Sequence, residues 1–124
     1  MNNKKKALIV DDEAHIVKVV KDRLEADGLN IITANSGEEA LKKVSERPDI
    51  IILDILMPDI NGLEVLRRLK ASDATKNIPV IILTVKGDNT TEKKSMDLGA
   101  AEFIEKPFSL VGLSEAVKKI LNRI

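Results

Sequence analysis

A chain of 124 residues is long enough for one domain with a single buried core, and its 20 Lys plus Arg against 20 Asp plus Glu leave no net field of the kind a nucleic-acid binder carries. The absence of cysteine excludes disulfides, thiol catalysis and zinc–thiolate sites. Only four apolar residues separate Lys4-Lys5-Lys6 from the aspartates, so nothing here resembles a signal peptide, and no apolar run approaches the roughly 18 residues of a membrane span; a soluble cytoplasmic protein with no direct nucleic-acid or membrane partner is expected.

Apolar runs and helical patterns then alternate. ALIV (7–10) reads as a first strand, and residues 14–27 follow as a helix with Ile16, Val17, Val20 and Leu24 on one face and Gly28 as its C-terminal cap. IIT (31–33) is the second strand. Ser36 caps a helix carrying Ala40, Leu41 and Val44, which Pro48 ends. IIIL (50–53) is the third strand, LMPDING a turn, and Gly62 opens a helix with Leu63, Leu66 and Leu69. After VIIL (80–83), residues 90–98 (TTEKKSMDL) form a helix with little apolar face, expected to pack loosely. EFIE (102–105) is the last strand, and Ser109 begins a helix with Leu110, Leu113, Val117, Ile120, Leu121 and Ile124 on one stripe.

Most of these strands are continuously apolar rather than alternating, as strands buried on both faces should be. Strand and helix alternating five times therefore predict an α/β fold, a doubly wound (βα)5 domain with a parallel sheet between two helical layers. No repeat, linker or low-complexity tract divides it, so residues 1–124 are read as one domain. In such a sheet ligands sit outside the carboxyl ends of the strands. There stand Asp11 and Asp12, then Asp54, then Thr84, then Lys106 with Pro107. Each alone has an ordinary explanation: Asp12 as a helix N-cap, Asp54 as a turn residue, Thr84 as a strand residue, Lys106 as a solvated cation. Independent caps and turns need not place three acids, a hydroxyl and an ammonium at matching strand ends, and together they mark a site.

With the acidic pair Asp11-Asp12, the segment LDILMPDINGLE around Asp54, ILT ending at Thr84 and GAAEFIEKPF containing Lys106, the chain resembles the receiver domain of two-component response regulators, of the chemotaxis single-domain type, from about Lys6 onward. The resemblance implies a flavodoxin-like strand order 2-1-3-4-5, a phosphoaccepting Asp54, and a Mg²⁺ site (Mn²⁺ a possible substitute) using Asp12, Asp54 and the main-chain carbonyl of Leu56, with Asp11 acting partly through water. It implies that Lys106 binds the phosphoryl oxygens, that Thr84 and Phe103 are the switch, and that Lys106–Pro107 is cis. Phe103 has no hydroxyl, so its part in a switch is one of burial. The phosphoryl donor would be a histidine kinase or histidine phosphotransfer protein, the reader an unknown downstream protein, and the chain itself no enzyme beyond assisting its own phosphorylation and dephosphorylation. Ala101 and Glu102 replace the acidic pair of dimerising receivers, so a monomer without an output domain is expected. His15, at an exposed helix start, is not expected to carry phosphate.

Elementary chemistry agrees with these residue types. A phosphoryl group brings negative charge towards carboxylates, and each like-charge contact near 4 Å costs about 4 kcal/mol at an effective dielectric of about 20, so a divalent cation is needed and hard oxygen ligands suit Mg²⁺. The resemblance implies that the residues two beyond Asp54 and Thr84 flank the phosphoryl group; here they are Leu56 and Lys86, which offer no group to activate a water, so slow self-dephosphorylation is expected. An aspartyl-phosphate phosphatase of haloacid dehalogenase type would need a second acid two residues after its nucleophile, where Leu56 stands. A flavodoxin-type flavin module would need a Thr/Ser/Gly-rich first loop, where VDDEAH would repel phosphate.

Overall fold

The computed structural model describes residues 4–85 and 89–122, so Lys86 and Ile124 lie outside the described residues. Strands β1 (Lys6–Val10), β2 (Asn30–Ala34), β3 (Ile50–Leu53), β4 (Val80–Val85) and β5 (Glu102–Lys106) alternate with helices α1 (Ala14–Ala26), α2 (Gly37–Lys43), α3 (Gly62–Ala71), α4 (Asn89–Asp97) and α5 (Leu110–Leu121). All strand pairs are parallel and the order is β2-β1-β3-β4-β5, so the expected doubly wound architecture is the one adopted.

The apolar strands are continuous because each of the inner ones contributes to two cores. Leu8, Val10, Ile51, Leu53, Val80 and Ile82 pack on one side with Ala40 of α2 and Val65, Leu66 and Leu69 of α3. Ala7, Ile9, Ile50, Ile52, Ile81 and Leu83 pack on the other with Val20 and Leu24 of α1 and Leu113, Val117 and Ile120 of α5. Each fully buried Leu or Ile side chain contributes about 1.5–3 kcal/mol, which makes β1, β3 and β4 the rigid base of the domain. Among the described residues, α4 adds only Ser95 to the buried set, in keeping with its polar sequence. Among the described residues no helix is long and apolar enough to cross a membrane.

The expected caps form: Ser36 Oγ accepts the Glu39 N–H at 3.1 Å, Ser109 Oγ the Gly112 N–H at 3.0 Å, and Gly28 follows α1 with φ +96°. α2 stops before Pro48. A 3₁₀ turn over Val44–Glu46 follows Lys43, and Arg47, just before Pro48, ends it in the left-handed region at φ 57°. Lys106–Pro107 is cis.

Register levels the working ends of the strands. Val10 pairs with Ala34 on one side and Leu53 on the other, and Val85 pairs with Lys106, so the residues after β1 and β3 and the last residue of β5 share one edge. Gly62 presses α3 against that edge. A Cβ on Gly62 would run into the Asp54 carbonyl oxygen and lie 2.6 Å from Ile55 Cα, both backbone atoms that cannot turn aside. Gly62→Ala should therefore destabilise the protein at the upper end of the about 1–3 kcal/mol typical of overpacking, read as a lowered urea midpoint. An unchanged midpoint would mean that the start of α3 can retreat freely.

Candidate functional site

Asp11 and Asp54 are the first residues beyond β1 and β3, and the sheet continues through their amides: Asp11 N–H donates to Ala34 O at 3.1 Å and Asp54 N–H to Val10 O at 2.9 Å. Both are buried, at 2% and 4% exposure. Lys106 comes from the opposite edge strand, and its ammonium donates to Asp11 Oδ2 at 2.8 Å, Glu13 Oε1 at 3.1 Å and Asp54 Oδ2 at 3.4 Å. Asp12 is exposed beside them. Carboxylate oxygens of Asp11, Asp12 and Asp54 lie within 4.8 Å of one another. The N-cap position of α1 is Glu13, without a side-chain capping bond, while Glu13 N–H donates to Asp11 Oδ1 at 2.9 Å. The capping explanation of Asp12 thus loses its position.

The Lys106 ammonium contacts the carboxylates of Asp11, Glu13 and Asp54, with Asp12 beside Asp11 and Asp54, and one ammonium cannot neutralise them all. The two ends of the closest pair show the imbalance. Burial would push Lys106 down, but its hydrogen bond to Asp11, the charge of Asp11, its bond to Glu13 and the charge of Asp54 hold it up at about 12. Asp11 also moves up, because burial outweighs its bonds to Lys106 and the Glu13 amide, and the nearby charge of Asp54 adds to the rise. The rise is chiefly the cost of burying the Asp11 charge, and the surplus of carboxylates around one ammonium adds to it. The donors are all oxygens, and Asp12 opens the cluster to solvent, so the set suits a hard divalent cation that keeps some of its waters.

Thr84 lies within β4 rather than after it, 2% exposed, and its hydroxyl is the buried side-chain polar atom left without a hydrogen-bond partner among the described residues. It borders a cavity of about 190 Å³ shared with Ile55, Leu56, Leu63 and Val85. Leu56 stands at the mouth, 56% exposed, and its N–H donates to Asp54 Oδ1 at 3.2 Å. Phe103 pairs with Ile82 in the sheet and packs half-buried against the α2–α3 side of the core. His15 is exposed and outside the cluster.

The structure thus brings Asp11, Asp12, Asp54 and Lys106 together, with Leu56 bonded to Asp54. Thr84 is set on the next strand, and Lys86 falls outside the described residues. Glu13 and Asp59 were not legible as part of this arrangement. Glu13 was visible only as a third acid after the pair, and its hold on Lys106, 93 residues away, exists only once β5 is in place. Asp59 looked like a turn residue, yet its carboxylate accepts from Gly37 and Glu38 at the start of α2.

The sequence model of the response regulator receiver domain matches residues 7–118. Among curated proteins, the alkaline phosphatase synthesis transcriptional regulatory protein PhoP of Bacillus subtilis is 41% identical over 96% of this chain and 49% of its own length. The transcriptional regulatory protein CpxR of Escherichia coli K12 is 36% identical over 95% of this chain and 50% of its own. The chain therefore spans about half the length of these relatives. Among solved structures, a CheY-like response regulator receiver domain protein from Methanospirillum hungatei superposes with a TM-score of 0.92 at 28% identity, covering 98% of this chain and 96% of that one. The signal receiver domain of a signal transduction histidine kinase from Syntrophus aciditrophicus gives 0.89 at 36% identity, covering 97% and 92%.

The charge shortage has a measurable sign. Because Asp11 is raised, it holds its proton more tightly when folded, so its contribution to metal-free stability is present at low pH and is lost as pH rises from the ordinary value of 3.8 through the raised one. In urea melts from about pH 4 to about pH 7, Asp11→Asn should gain stability relative to the parent as pH rises. A relative loss would show that the attraction of Lys106 outweighs burial.

Proposed function

The chain belongs to the response regulator receiver family and is a phosphoacceptor signalling switch of two-component systems, and on that premise we propose that Asp54 is the acceptor, served by Asp11, Asp12, Lys106 and Thr84. The observation that carries this reading is a buried carboxylate at the sheet edge, 3.4 Å from a lysine ammonium and within 4.8 Å of two further acids.

In this reading an Asp54 carboxylate oxygen attacks phosphorus in line, forming an acyl phosphate. The bond to the donor breaks, its electron pair leaving with a histidine nitrogen of a histidine kinase or histidine phosphotransfer protein. Lys106 shifts from Asp11 and Glu13 towards the new phosphoryl oxygens. Asp11, Asp12, Asp54 and the Leu56 carbonyl would hold Mg²⁺, with Mn²⁺ a workable substitute, and the bound ion supplies the positive charge that the single ammonium lacks. The unpartnered Thr84 hydroxyl is well placed to donate to the phosphoryl group, and Phe103 would follow by burying more deeply, changing the surface that a downstream protein reads. Catalysis is confined to the protein's own phosphorylation and dephosphorylation.

Incubation with a small-molecule phosphodonor and Mg²⁺ should add one phosphoryl group that alkali removes, as an acyl phosphate requires, and Asp54→Asn should abolish the addition. Intact-protein mass spectrometry decides this, and equal labelling of the variant would show that the acceptor lies elsewhere.

Lifetime follows from the mouth of the site. The exposed Leu56 side chain has no donor or acceptor to orient a hydrolytic water, so the phosphoryl group should persist. After removal of donor, Leu56→Asn should decay several-fold faster than the parent, and Lys86→Glu should likewise hasten decay. Parent decay as fast as both variants would reject shielding.

A further inference from the structure

We propose that Asp59 is a positioning residue of the phosphoacceptor site: its carboxylate straps the loop that follows Asp54 to the amino end of α2 and so fixes the Leu56 backbone. The part that concerns Mg²⁺ rests on the function proposed above. The two oxygens divide the work, Oδ1 accepting the Gly37 N–H at 3.1 Å and Oδ2 the Glu38 N–H at 2.9 Å, across 22 and 21 residues of chain. A carboxylate on consecutive amides of a helix's first turn makes charge-assisted bonds and also faces the positive end of the helix dipole. The bonds to the Glu38 and Ile60 amides hold Asp59 below the usual carboxylate range, so the strap is made by the ionised form at neutral pH.

Packing shows that the contact is built on both sides. A Cβ on Gly37 would lie 2.9 Å from Ile60 Cβ and 3.0 Å from the Ile60 carbonyl oxygen, so the helix start and the loop touch backbone to backbone only because residue 37 has no side chain. At its base the loop is closed by Gly62 N–H donating to Ile55 O at 2.8 Å. Between these two anchors stands Leu56, whose N–H meets Asp54 Oδ1 at 3.2 Å and whose carbonyl is the proposed metal ligand. Without the strap, the base closure, that bond and the packing of Ile55, Met57 and Ile60 against the core would remain to hold Leu56. Linkage makes the effect reciprocal: whatever the strap adds to cation binding, a bound cation adds to the strap.

Ordinary helix capping would also make Asp59 matter, and Ser36 separates the two explanations. Ser36 Oγ caps the same helix through Glu39 N–H at 3.1 Å without touching the loop. Ser36→Ala therefore weakens α2 and spares the strap, whereas Asp59→Ala removes the strap, and Asp59→Asn keeps one accepting oxygen. Calorimetric titration with Mg²⁺ should show the dissociation constant rising about tenfold in Asp59→Ala, the low end for losing a partner that orients a ligand, less in Asp59→Asn and little in Ser36→Ala. Amide hydrogen exchange of the metal-free proteins should speed up at Leu56 in Asp59→Ala but not in Ser36→Ala. Equal effects of Asp59→Ala and Ser36→Ala on both measurements, or unchanged Leu56 exchange in Asp59→Ala, would overturn the proposal. A parent that takes up no Mg²⁺ would instead defeat the metal reading, and the Leu56 exchange rates would still decide the strap.

Discussion

The site depends on one shared charge. Lys106, its side chain 8% exposed, is the ammonium among three carboxylates that it touches, and the closest of these, Asp11, has a side chain only 3% exposed. Breaking a buried ion pair by removing one partner typically costs about 3–5 kcal/mol, because the other charge is left uncompensated. The pair also spans the sheet, joining the β1 end to edge strand β5. On the function proposed above, a cation beside Asp12 or a phosphoryl group on Asp54 would change how that charge is divided and so act on the edge of the fold.

The surroundings leave that division unfinished. Among the described residues the buried Thr84 hydroxyl has no hydrogen-bond partner, and on the function proposed above a phosphoryl oxygen would supply one. Around it the frame is stiff: β1, β3 and β4 are buried on both faces, and Gly62 seats α3 directly on the Asp54 backbone.

The opposite face of the site is less yielding. Asp59 and Gly37 lock the loop after Asp54 to α2, while α4, on the other side of that loop, buries little of its own length. On the function proposed above, a rearrangement on phosphorylation would meet less resistance through β4, α4 and β5, where Thr84 and Phe103 lie, than through α2.

Much of this was legible in the sequence. Continuous apolar runs bounded by Gly28, Ser36, Gly62 and Ser109 specify strands buried on both faces and helices with defined starts, because periodicity and capping are local properties of a chain. Parallel topology then sends Asp11, Asp12, Asp54 and Lys106 to one edge, since every strand of such a sheet points the same way. Tertiary structure alone decided how they divide their contacts. Glu13 reaching Lys106 and Asp59 reaching Gly37 and Glu38 depend on distances between segments far apart in the chain. No residue pattern encodes such distances, because they arise only when sheet register and helix packing bring those segments face to face.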